Sequence, residues 1–251
     1  MAADPPAARS SLYDPVLSAP RAADGCFVLA RIAQSLDGRI ATDSGESRWI
    51  SGPEDIRHTH RLRALCDAVI VGASTVAADD PQLTTREVEG PSPVRIIIDP
   101  FLRLHAGHRV FQDGPPTLVI ASEAALAGGP VTRDRIGLAE ILRMPIDAAG
   151  SSITSIDLPG LLHLLASRGL RRLFVEGGGV TVSRFLTAGL VDRLHVTISP
   201  LLLGGGRPAF TFPMTQFLSD GLRFSWNVHR LGDDILVDIP LDRRLPGAAA
   251  A

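Results

Sequence analysis

Short apolar runs alternate with longer amphipathic stretches along most of the chain. The runs are rich in Val, Ile and Leu and lie at 27–30, 68–71, 94–98, 117–120, 173–175 and 194–198. They are apolar at nearly every position instead of at alternate positions, which is typical of strands covered on both faces. The pattern predicts a mostly parallel sheet, followed near the C-terminus by antiparallel strands at 223–230 and 234–239.

Three helices are predicted between the strands. The first, at 53–66, follows Ser51 and Glu54, which have the spacing of a capping box. The second and third, at 158–168 and about 180–188, each stop before a Gly, the usual residue after a helix end. The alternation of strands and helices, with no internal repeat and no interior linker, predicts one α/β domain.

The folded body is predicted at 26–240, because both ends have a different composition. Residues 1–25 are rich in Ala, Pro and Ser without apolar periodicity, and 241–251 finish in small residues. Both ends are therefore expected to be poorly ordered tails. No run of about 18 apolar residues occurs, so no membrane helix is expected, and no secretory signal pattern is present.

The amino-acid composition excludes several classes of enzyme chemistry. All 25 basic residues are Arg, and Tyr13 is the single Tyr among 251 residues. Without Lys, Schiff-base chemistry, a Walker phosphate loop and the kinase strand Lys are excluded. The net charge of −2, with Arg scattered along the chain, argues against nucleic acid as a partner. Cys26 and Cys66 are far apart and in apolar surroundings, which predicts reduced, buried thiols in a cytoplasmic protein.

A glycine-rich loop offers a site for an anion. Gly177, Gly178 and Gly179 connect a buried strand, ending at Glu176, to a predicted helix. Glycines let backbone N–H groups approach a phosphate, and a helix N-terminus favours negative charge, so a diphosphate cradle is one interpretation. A tight structural turn is the other, because the G-x-G-x-x-G dinucleotide pattern is missing. A second triplet, 204–206, is open to the same two interpretations.

A second candidate loop carries carboxylates. Asp79 and Asp80 follow the strand at 68–71, together with hydroxyl side chains and Arg86. Open α/β sheets bind ligands at the carboxyl ends of their strands. An ordinary Asp-Asp-Pro turn remains the alternative from these residues alone. Trp49, beside the start of the first helix, is expected to be exposed.

Four linked motifs resemble a known family. They are RIAQSLDGRIA at 31–41, SRWIS at 47–51, VGASTV at 71–76 with DDPQLTTR at 79–86, and VEGGG at 175–179. In this order they resemble the reductase domain of bifunctional riboflavin-biosynthesis enzymes, the pyrimidine reductase family. The resemblance extends over about 26–240.

The resemblance implies a three-layer α/β/α fold of the dihydrofolate-reductase type, usually a homodimer, that uses NADPH. Such enzymes reduce the ribosyl group of a ribosylamino-pyrimidine 5′-phosphate to a ribityl chain. The implied activity is that of a stand-alone 5-amino-6-(5-phosphoribosylamino)uracil reductase. The zinc deaminase that often accompanies the domain needs H-x-E and P-C-x-x-C, and neither occurs in the sequence.

The resemblance also assigns roles to individual residues. Asp79 and Glu176 match carboxylates beside the reacting sugar, and which of them handles the proton is left open. The substrate-binding matches are Arg31, Ser47, Arg63 and Arg86. Of these, Ser47, Arg63 and Arg86 are expected chiefly at the phosphate, and Arg31 at the ribose. The cofactor-binding matches are Ala33, Trp49, Gly72, Thr75, Gly177, Gly178 and Gly179, with Gly204 and Gly205 as weaker candidates.

One position departs from the family pattern. Arg31 stands where Lys is usual, and a planar guanidinium that cannot lose its proton is not equivalent to an ammonium. Two alternatives therefore stay open: a reductase of the same fold acting on a diamino-pyrimidinone ribosyl phosphate, a dihydropterin or another carbonyl compound, and a non-catalytic nucleotide sensor. Retention of both Asp79 and Glu176 speaks against the sensor.

Several remaining residues are given structural interpretations. No metal site is expected, since His58 and His60 lie at i and i+2 of a helix and point to different faces; both are interpreted as surface or loosely packed residues. Ser122 and Arg95 are weak candidates for the 2′-phosphate of NADPH. The apolar stretches 201–203 and 210–212 are interpreted as core packing in preference to a dimer interface.

Overall fold

The structure is a computed structural model that describes residues 6–18, 22–123, 134–145, 156–241 and 243. Its helices are α1 (Pro6–Leu17), α2 (Pro53–Leu65), α3 (Ala73–Asp79), α4 (Leu158–Ser167) and α5 (Gly179–Thr187). Its strands are β1 (Phe27–Ser35), β2 (Arg39–Ala41), β3 (Ala68–Gly72), β4 (Val94–Ile98), β5 (Thr117–Ser122), β6 (Arg135–Ile136), β7 (Ala139–Met144), β8 (Arg172–Glu176), β9 (Arg193–Ser199), β10 (Arg207–Pro208), β11 (Asn227–Leu231) and β12 (Asp234–Pro240).

Ten of the described strands form one sheet in the order β11-β12-β9-β1-β8-β3-β4-β5-β7-β6. The strands from β9 to β7 in this order pair in parallel, whereas β12, β11 and β6 pair antiparallel. Strands β2 and β10 form a separate two-stranded ribbon. The predicted mostly parallel sheet with antiparallel C-terminal strands is confirmed.

The core has two halves, one on each face of the sheet. Along β1, Val28 and Ala30 point to the half covered by α4 and α5, whereas Phe27 and Leu29 point to the half covered by α2 and α3. Side chains alternate because successive Cβ atoms of a strand point to opposite faces. Both faces of the parallel strands are buried, which explains their continuous apolarity and confirms the three-layer α/β/α arrangement.

The predicted N-terminal tail contains a helix. Leu12 and Val16 of α1 are buried, and the hydroxyl of Tyr13 lies 2.8 Å from Nδ1 of His58 on α2. The expectation of a poorly ordered tail is therefore wrong for α1. The helix contains Pro15 and has little amphipathic character, so its position depends on these tertiary contacts, which composition does not reveal.

The start of the C-terminal tail also differs from the prediction of a poorly ordered segment. Leu241 is buried, and Arg243 forms ion pairs with Asp24 and Asp192. These contacts attach Leu241 and Arg243 to the body, and the rest of the predicted tail, 242 and 244–251, lies outside the described residues.

Helix α2 forms as predicted, but its start and its inner face differ from expectation. Gly52 is the N-cap residue and has no side chain that could cap the helix. Its N–H donates to Oδ2 of Asp234 at 2.7 Å, and the Ser51 hydroxyl bonds to Asp55. His58 and His60 are both buried, which corrects their interpretation as surface residues. The reason is that α2 packs polar side chains against the sheet.

Candidate active site

A cavity of about 510 Å³ opens at the carboxyl ends of the parallel strands, where β1 and β8 meet the loop after β3. Open α/β sheets bind ligands at this edge. Ten of the residues assigned from the family motifs line it: Arg31, Ala33, Ser47, Trp49, Thr75, Asp79, Glu176, Gly177, Gly178 and Gly179. Motifs that are far apart in the sequence therefore converge on one cleft.

The glycine loop between β8 and α5 is shaped for close approach. Gly177 and Gly178 have φ values of +63° and +69°, a region that non-glycine residues rarely adopt. A Cβ on Gly178 would lie 2.7 Å from Oγ1 of Thr75, and one on Gly179 would lie 2.5 Å from the carbonyl oxygen of Ala209. The first N–H groups of a helix have no partner within it. At α5 they lie at the edge of the cavity, where the three glycines carry no side chains. This geometry fits a diphosphate.

Gly72 lies close to the glycine loop, where α3 approaches α5. It precedes the first turn of α3, and a Cβ there would lie 2.6 Å from Oγ1 of Thr181 on α5. Gly72 is not among the cavity residues, whereas Thr75, one turn later, is. The role of Gly72 is therefore to let α3 and α5 approach each other.

Trp49 is displayed at the cavity in a strained conformation. Its φ of +68° lies in the left-handed region, and its side chain is 81% exposed. Such backbone strain in a bulky residue concentrates at ligand-binding sites. The indole is therefore available to stack on a ligand.

Glu176 is held by a two-pronged ion pair. Nε and Nη2 of Arg63 donate to its two oxygens at 2.8 and 2.5 Å, and Nη1 of Arg63 donates to the carbonyl oxygen of Thr84 at 2.9 Å. Burial by itself raises the pKa of Glu176, but the charge and hydrogen bonds of Arg63 outweigh it and lower the pKa. Glu176 is thus a carboxylate at neutral pH.

Arg63 is not a cavity residue. Its guanidinium is almost fully buried, and it bonds to Glu176 and Thr84. The expectation that it grips a substrate phosphate needs correction: in this structure it orients Glu176. Arg86 also lies outside the cavity lining, with a half-exposed side chain, and its backbone N–H donates to Nδ1 of His60.

Asp79 and Ser47 form a second polar pair in the cavity. The Ser47 hydroxyl donates to Oδ1 of Asp79 at 2.7 Å. Ser47 lies in the loop before α2 and Asp79 at the end of α3. The pair therefore joins two motifs and offers a hydroxyl and a carboxylate to one ligand.

Arg31, the departure from the family pattern, points from β1 toward α2. Its Nη2 forms an ion pair with Oδ2 of Asp55, whose other oxygen accepts from the Thr197 hydroxyl at 2.7 Å. Burial by itself raises the pKa of Asp55, but the Arg31 charge and the hydroxyls of Ser51 and Thr197 lower it. Nε of Arg31 is buried and has no partner among the described residues, so the guanidinium keeps one free donor.

The second glycine triplet lies outside the cavity. The N–H of Gly204 donates to Oδ2 of Asp37 at 2.7 Å, and a Cβ on Gly205 would approach Asp43. Gly206 has a φ of +117°, and a Cβ there would lie 2.1 Å from the carbonyl oxygen of Ala41. The triplet therefore brings β10 against β2, which is the direction-changing interpretation.

Sequence reasoning missed Arg207. It follows Gly206 on β10 and lines the cavity together with Pro208 and Thr211. The glycine triplet before Arg207 was a signal in the sequence, because a glycine such as Gly206 often marks a close approach of two backbone segments. The sequence did not show that β10 pairs with β2. Arg207 adds a second arginine to the cavity besides Arg31, which is paired with Asp55.

Comparison with known proteins agrees with this geometry. Residues 26–235 match the model of the RibD C-terminal domain family. The chain belongs to this family. It is 38% identical over 218 residues to a 2,5-diamino-6-ribosylamino-4(3H)-pyrimidinone 5′-phosphate reductase of Methanothermobacter thermautotrophicus, covering 84% of this chain and 96% of that protein. A reductase of the same name from Archaeoglobus fulgidus is 35% identical over 189 residues, covering 71% and 82%.

A solved structure extends the RibD likeness to three dimensions. The diaminohydroxyphosphoribosylaminopyrimidine deaminase/5-amino-6-(5-phosphoribosylamino)uracil reductase of Thermotoga maritima has a TM-score of 0.70 and 28% identity. The match covers 92% of this chain, and the chain spans 59% of that longer protein. Within the described residues of this RibD-family chain, no helix is long and apolar enough to cross a membrane, and no group of three or more potential metal ligands occurs.

Proposed function

We propose that this chain reduces a pyrimidine carrying a 5-phosphoribosylamino group, with NADPH as the hydride donor. The observation that carries the proposal is the convergence of Glu176, Asp79, Ser47 and the glycine loop on one cavity in a RibD-family chain. The cavity has acidic groups for a sugar and an anion cradle for a diphosphate. A non-catalytic nucleotide sensor would not need the polar groups that face the sugar, Glu176, Asp79 and Ser47.

Residues for the cofactor are the N-terminus of α5 with Gly177 to Gly179, Thr75 and Ala33. When bound, NADPH supplies a hydride to the substrate, and the protein positions the nicotinamide against the sugar carbon C1′. The exposed indole of Trp49 at the rim of the cavity covers the bound pair. These residues act by orientation and exclusion of water.

The substrate reacts through an opened sugar. The C1′–O4′ bond breaks to leave a cationic C1′=N group, C1′ gains the hydride, and O4′ gains a proton to become a hydroxyl. Glu176, kept ionised by Arg63, stabilises the positive charge at C1′ and does not donate the proton. The Ser47 and Asp79 pair faces the sugar: the Ser47 hydroxyl gives its proton to O4′ and is reprotonated from solvent by way of Asp79, so that the reaction consumes one hydride and one solvent proton.

The phosphate of the substrate needs cations at the mouth of the cavity. Arg207 lines it, and Arg86 keeps a half-exposed guanidinium nearby. We assign the phosphate to these two arginines, since Arg63 is occupied by Glu176.

Two substrates fit this class. The more similar relatives are named for the diamino-pyrimidinone phosphate, and the Thermotoga protein for the uracil phosphate. Purified protein should consume NADPH with at least one of the two compounds and give the ribityl product. The ratio of the two kcat/KM values identifies the preferred ring. No turnover of either compound beside an active family member would contradict the proposal.

Preference for NADPH is assigned to Arg184. A second cavity, of about 450 Å³, adjoins the first at Thr211 and runs along α5, where it is lined by Thr181, Ser183 and the exposed Arg184. Its size suits an adenosine. The earlier candidate Arg95 is buried and bonded to Thr117 and backbone carbonyls, so it is unavailable for a phosphate.

Arg184→Ala should raise the dissociation constant of NADPH about tenfold and leave that of NADH unchanged, because only NADPH carries the 2′-phosphate. Calorimetry with both nucleotides measures this, and the binding of NADH by the same variant is the control. An equal loss for both nucleotides would show that Arg184 does not read the 2′-phosphate.

A homodimer is proposed from the exposed apolar surface between residues 201 and 228. Leu202, Met214 and Leu218 are 69%, 99% and 91% exposed, and Trp226 lies beside the edge strand β11. Residues 201 and 202 are thus not core residues as expected, and a patch of this kind marks an interface. Light scattering should give the mass of two chains, and Leu218→Asp should give one. A monomeric wild-type protein would contradict this assignment.

A further inference from the structure

A row of four ionisable side chains crosses the sheet beneath α2. Arg31 of β1 pairs in register with Glu176 of β8 on one side and with His195 of β9 on the other. His195 in turn pairs with Asp238 of β12. All four are largely buried. The row begins in the reaction cavity and ends near the edge of the sheet.

Helix α2 places polar side chains against three members of this row. The facing pairs are Arg63 with Glu176, Asp55 with Arg31, and His58 with His195. The first two pairs involve cavity residues, and the third does not. The third pair connects α2 to β9 by a contact between ring nitrogens and by stacking of the two imidazole rings.

The imidazole pair belongs to a longer chain of contacts. The Tyr13 hydroxyl lies 2.8 Å from Nδ1 of His58, and Nε2 of His58 lies 3.1 Å from Nδ1 of His195. Nε2 of His195 lies 3.3 Å from Oδ1 of Asp238, an ion-pair distance without the geometry of a hydrogen bond. Asp238 also forms a two-pronged ion pair with Arg193.

These contacts allow one order of protons when both rings are neutral. Asp238 has a pKa lowered to about 2, since its interactions with His195 and Arg193 outweigh burial, so it can only accept. A carboxylate 3.3 Å away favours a proton on Nε2 of His195, which leaves Nδ1 to accept. His58 therefore donates from Nε2 and accepts at Nδ1 from the Tyr13 hydroxyl.

The charges around the rings oppose their protonation. Burial is the main reason that the pKa values of both His58 and His195 are lowered. The titratable or charged groups that act on the pair are Arg31, Arg61, Arg193, His229 and Asp238. Asp238 alone among them favours a cationic ring, and Arg193 already neutralises it. Neutral rings are the state that this surrounding supports.

The chain of contacts starts in a part of the protein outside the family match, which covers 26–235. Tyr13 belongs to α1, and Val16 attaches that helix to the α2 face of the sheet. The hydroxyl of Tyr13 thus reaches α2 from a helix that the shared domain does not include.

We propose that Tyr13, His58 and His195 are positioning residues, whose ordered hydrogen bonds fix α2 so that Asp55 holds the Arg31 guanidinium at the cavity. Asp55 lies one turn before His58 on the same helix, so a shift of His58 moves Asp55 with it. The kinetic part of the proposal rests on the proposed reductase function, whereas its proton order does not.

The proton order is tested first, on the folded full chain without substrate. NMR of isotope-labelled histidine nitrogens at neutral pH should show both rings neutral and protonated at Nε2, with signals assigned through His58→Asn and His195→Asn. Observation of an imidazolium, or of a ring protonated at Nδ1, at either position would overturn the proposal.

The positioning effect is tested with Tyr13→Phe, which removes only the hydroxyl. Loss of one hydrogen bond should raise KM for the pyrimidine phosphate about fivefold, with kcat and the dissociation constant of NADPH within twofold of wild type. Arg61→Leu is the matched control, because Arg61 stacks on the Tyr13 ring 5.5 Å away without entering the hydrogen-bonded chain; its KM should not change.

An unchanged KM in Tyr13→Phe, or an equal loss for substrate and NADPH, would overturn the positioning role. Circular dichroism checks that the variant is folded. If the wild-type protein turns over neither pyrimidine, the proposed function fails, and the histidine spectrum still decides the proton order.

Discussion

The two helical layers of this protein are built from opposite kinds of contact. Helices α4 and α5 bury apolar side chains against the sheet, among them Leu161, Leu165 and Phe185. Helix α2 buries Asp55, His58, His60, Thr59, Leu62 and Arg63 against the other face. Apolar contacts are non-directional and stabilise the fold, whereas buried charges need specific partners. Both halves of the core contain apolar side chains, but of these three helices only α2 adds buried charges, on its inner face, and these set the geometry of the cavity. We call α4 and α5 the apolar layer and the inner face of α2 the polar layer.

Leu165→Ala should have the largest effect on the apolar layer. Leu165 is fully buried, so the lost contacts and the cavity left behind should lower the free energy of unfolding by about 2–5 kcal/mol. Urea denaturation measures this. Leu164→Ala, at a partly buried position on the same helix, should cost less, and both folded variants should bind NADPH as the wild type does. Weakened binding would show that the two layers are not separate.

Glu176→Gln should have the largest effect on the polar layer. The amide keeps the shape but loses the charge that stabilises cationic C1′, so kcat should fall about 10²- to 10³-fold. Asp67→Asn is the control, since Asp67 also pairs with an arginine, Arg172, but at the opposite end of β8. That variant should retain activity. A similar loss in both variants would argue against a catalytic role for Glu176.

Gly178→Ala tests the cradle for the cofactor. An added Cβ meets Thr75 at 2.7 Å and the residue has a positive φ, so the dissociation constant of NADPH should rise about tenfold, equivalent to 1.4 kcal/mol. Gly169→Ala shares the positive φ of its glycine but meets nothing within 4 Å. Both variants should lose about 1 kcal/mol of stability, and only the first should lose affinity, as measured by quenching of Trp49 in a Trp226→Phe background.

Mild acid should weaken the polar layer selectively. Burial, with the charges of Arg63 and Arg86, lowers the pKa of His60 to about 4. The unfolded chain therefore takes up a proton below about pH 6.5 that the native state refuses. The free energy of unfolding should fall as pH decreases from 6.5 toward 4, by at most about 1.4 kcal/mol per pH unit for each such histidine.

His60→Asn should flatten this pH dependence, because Asn accepts a hydrogen bond without titrating. His163→Asn, at an exposed position on α4, should leave it unchanged. Denaturation curves at several pH values provide the comparison, and a steeper dependence in His60→Asn would contradict the assignment.

The sequence predicts the apolar layer far better than the polar one. Strands such as β3 and β4, and helices such as α4, follow from local apolar runs and from a Gly after the helix end. A ligand site at the carboxyl ends of the parallel strands is also expected from the sequence, and Asp79 and Glu176 line the cavity there, whereas Arg63 and Arg86 do not. Each of these signals is local or follows from topology.

The polar layer depends on contacts between distant segments. The bonds from Tyr13 to His58 and from His58 to His195 span 45 and 137 residues. Isolated polar residues in a helix look like a solvated face, and only the strand register shows that they meet a row of partners. The same reason explains why Arg63 was assigned to a phosphate instead of to Glu176.

The central claim is that this cavity transfers a hydride to C1′ of a phosphoribosylamino-pyrimidine. The most direct measurement uses NADPH carrying deuterium at C4 on both sides of the nicotinamide ring, with mass spectrometry and NMR of the product. We expect one deuterium per product molecule, located at C1′ of the ribityl chain. Product without deuterium at C1′, or no product from protein that binds NADPH, would contradict it.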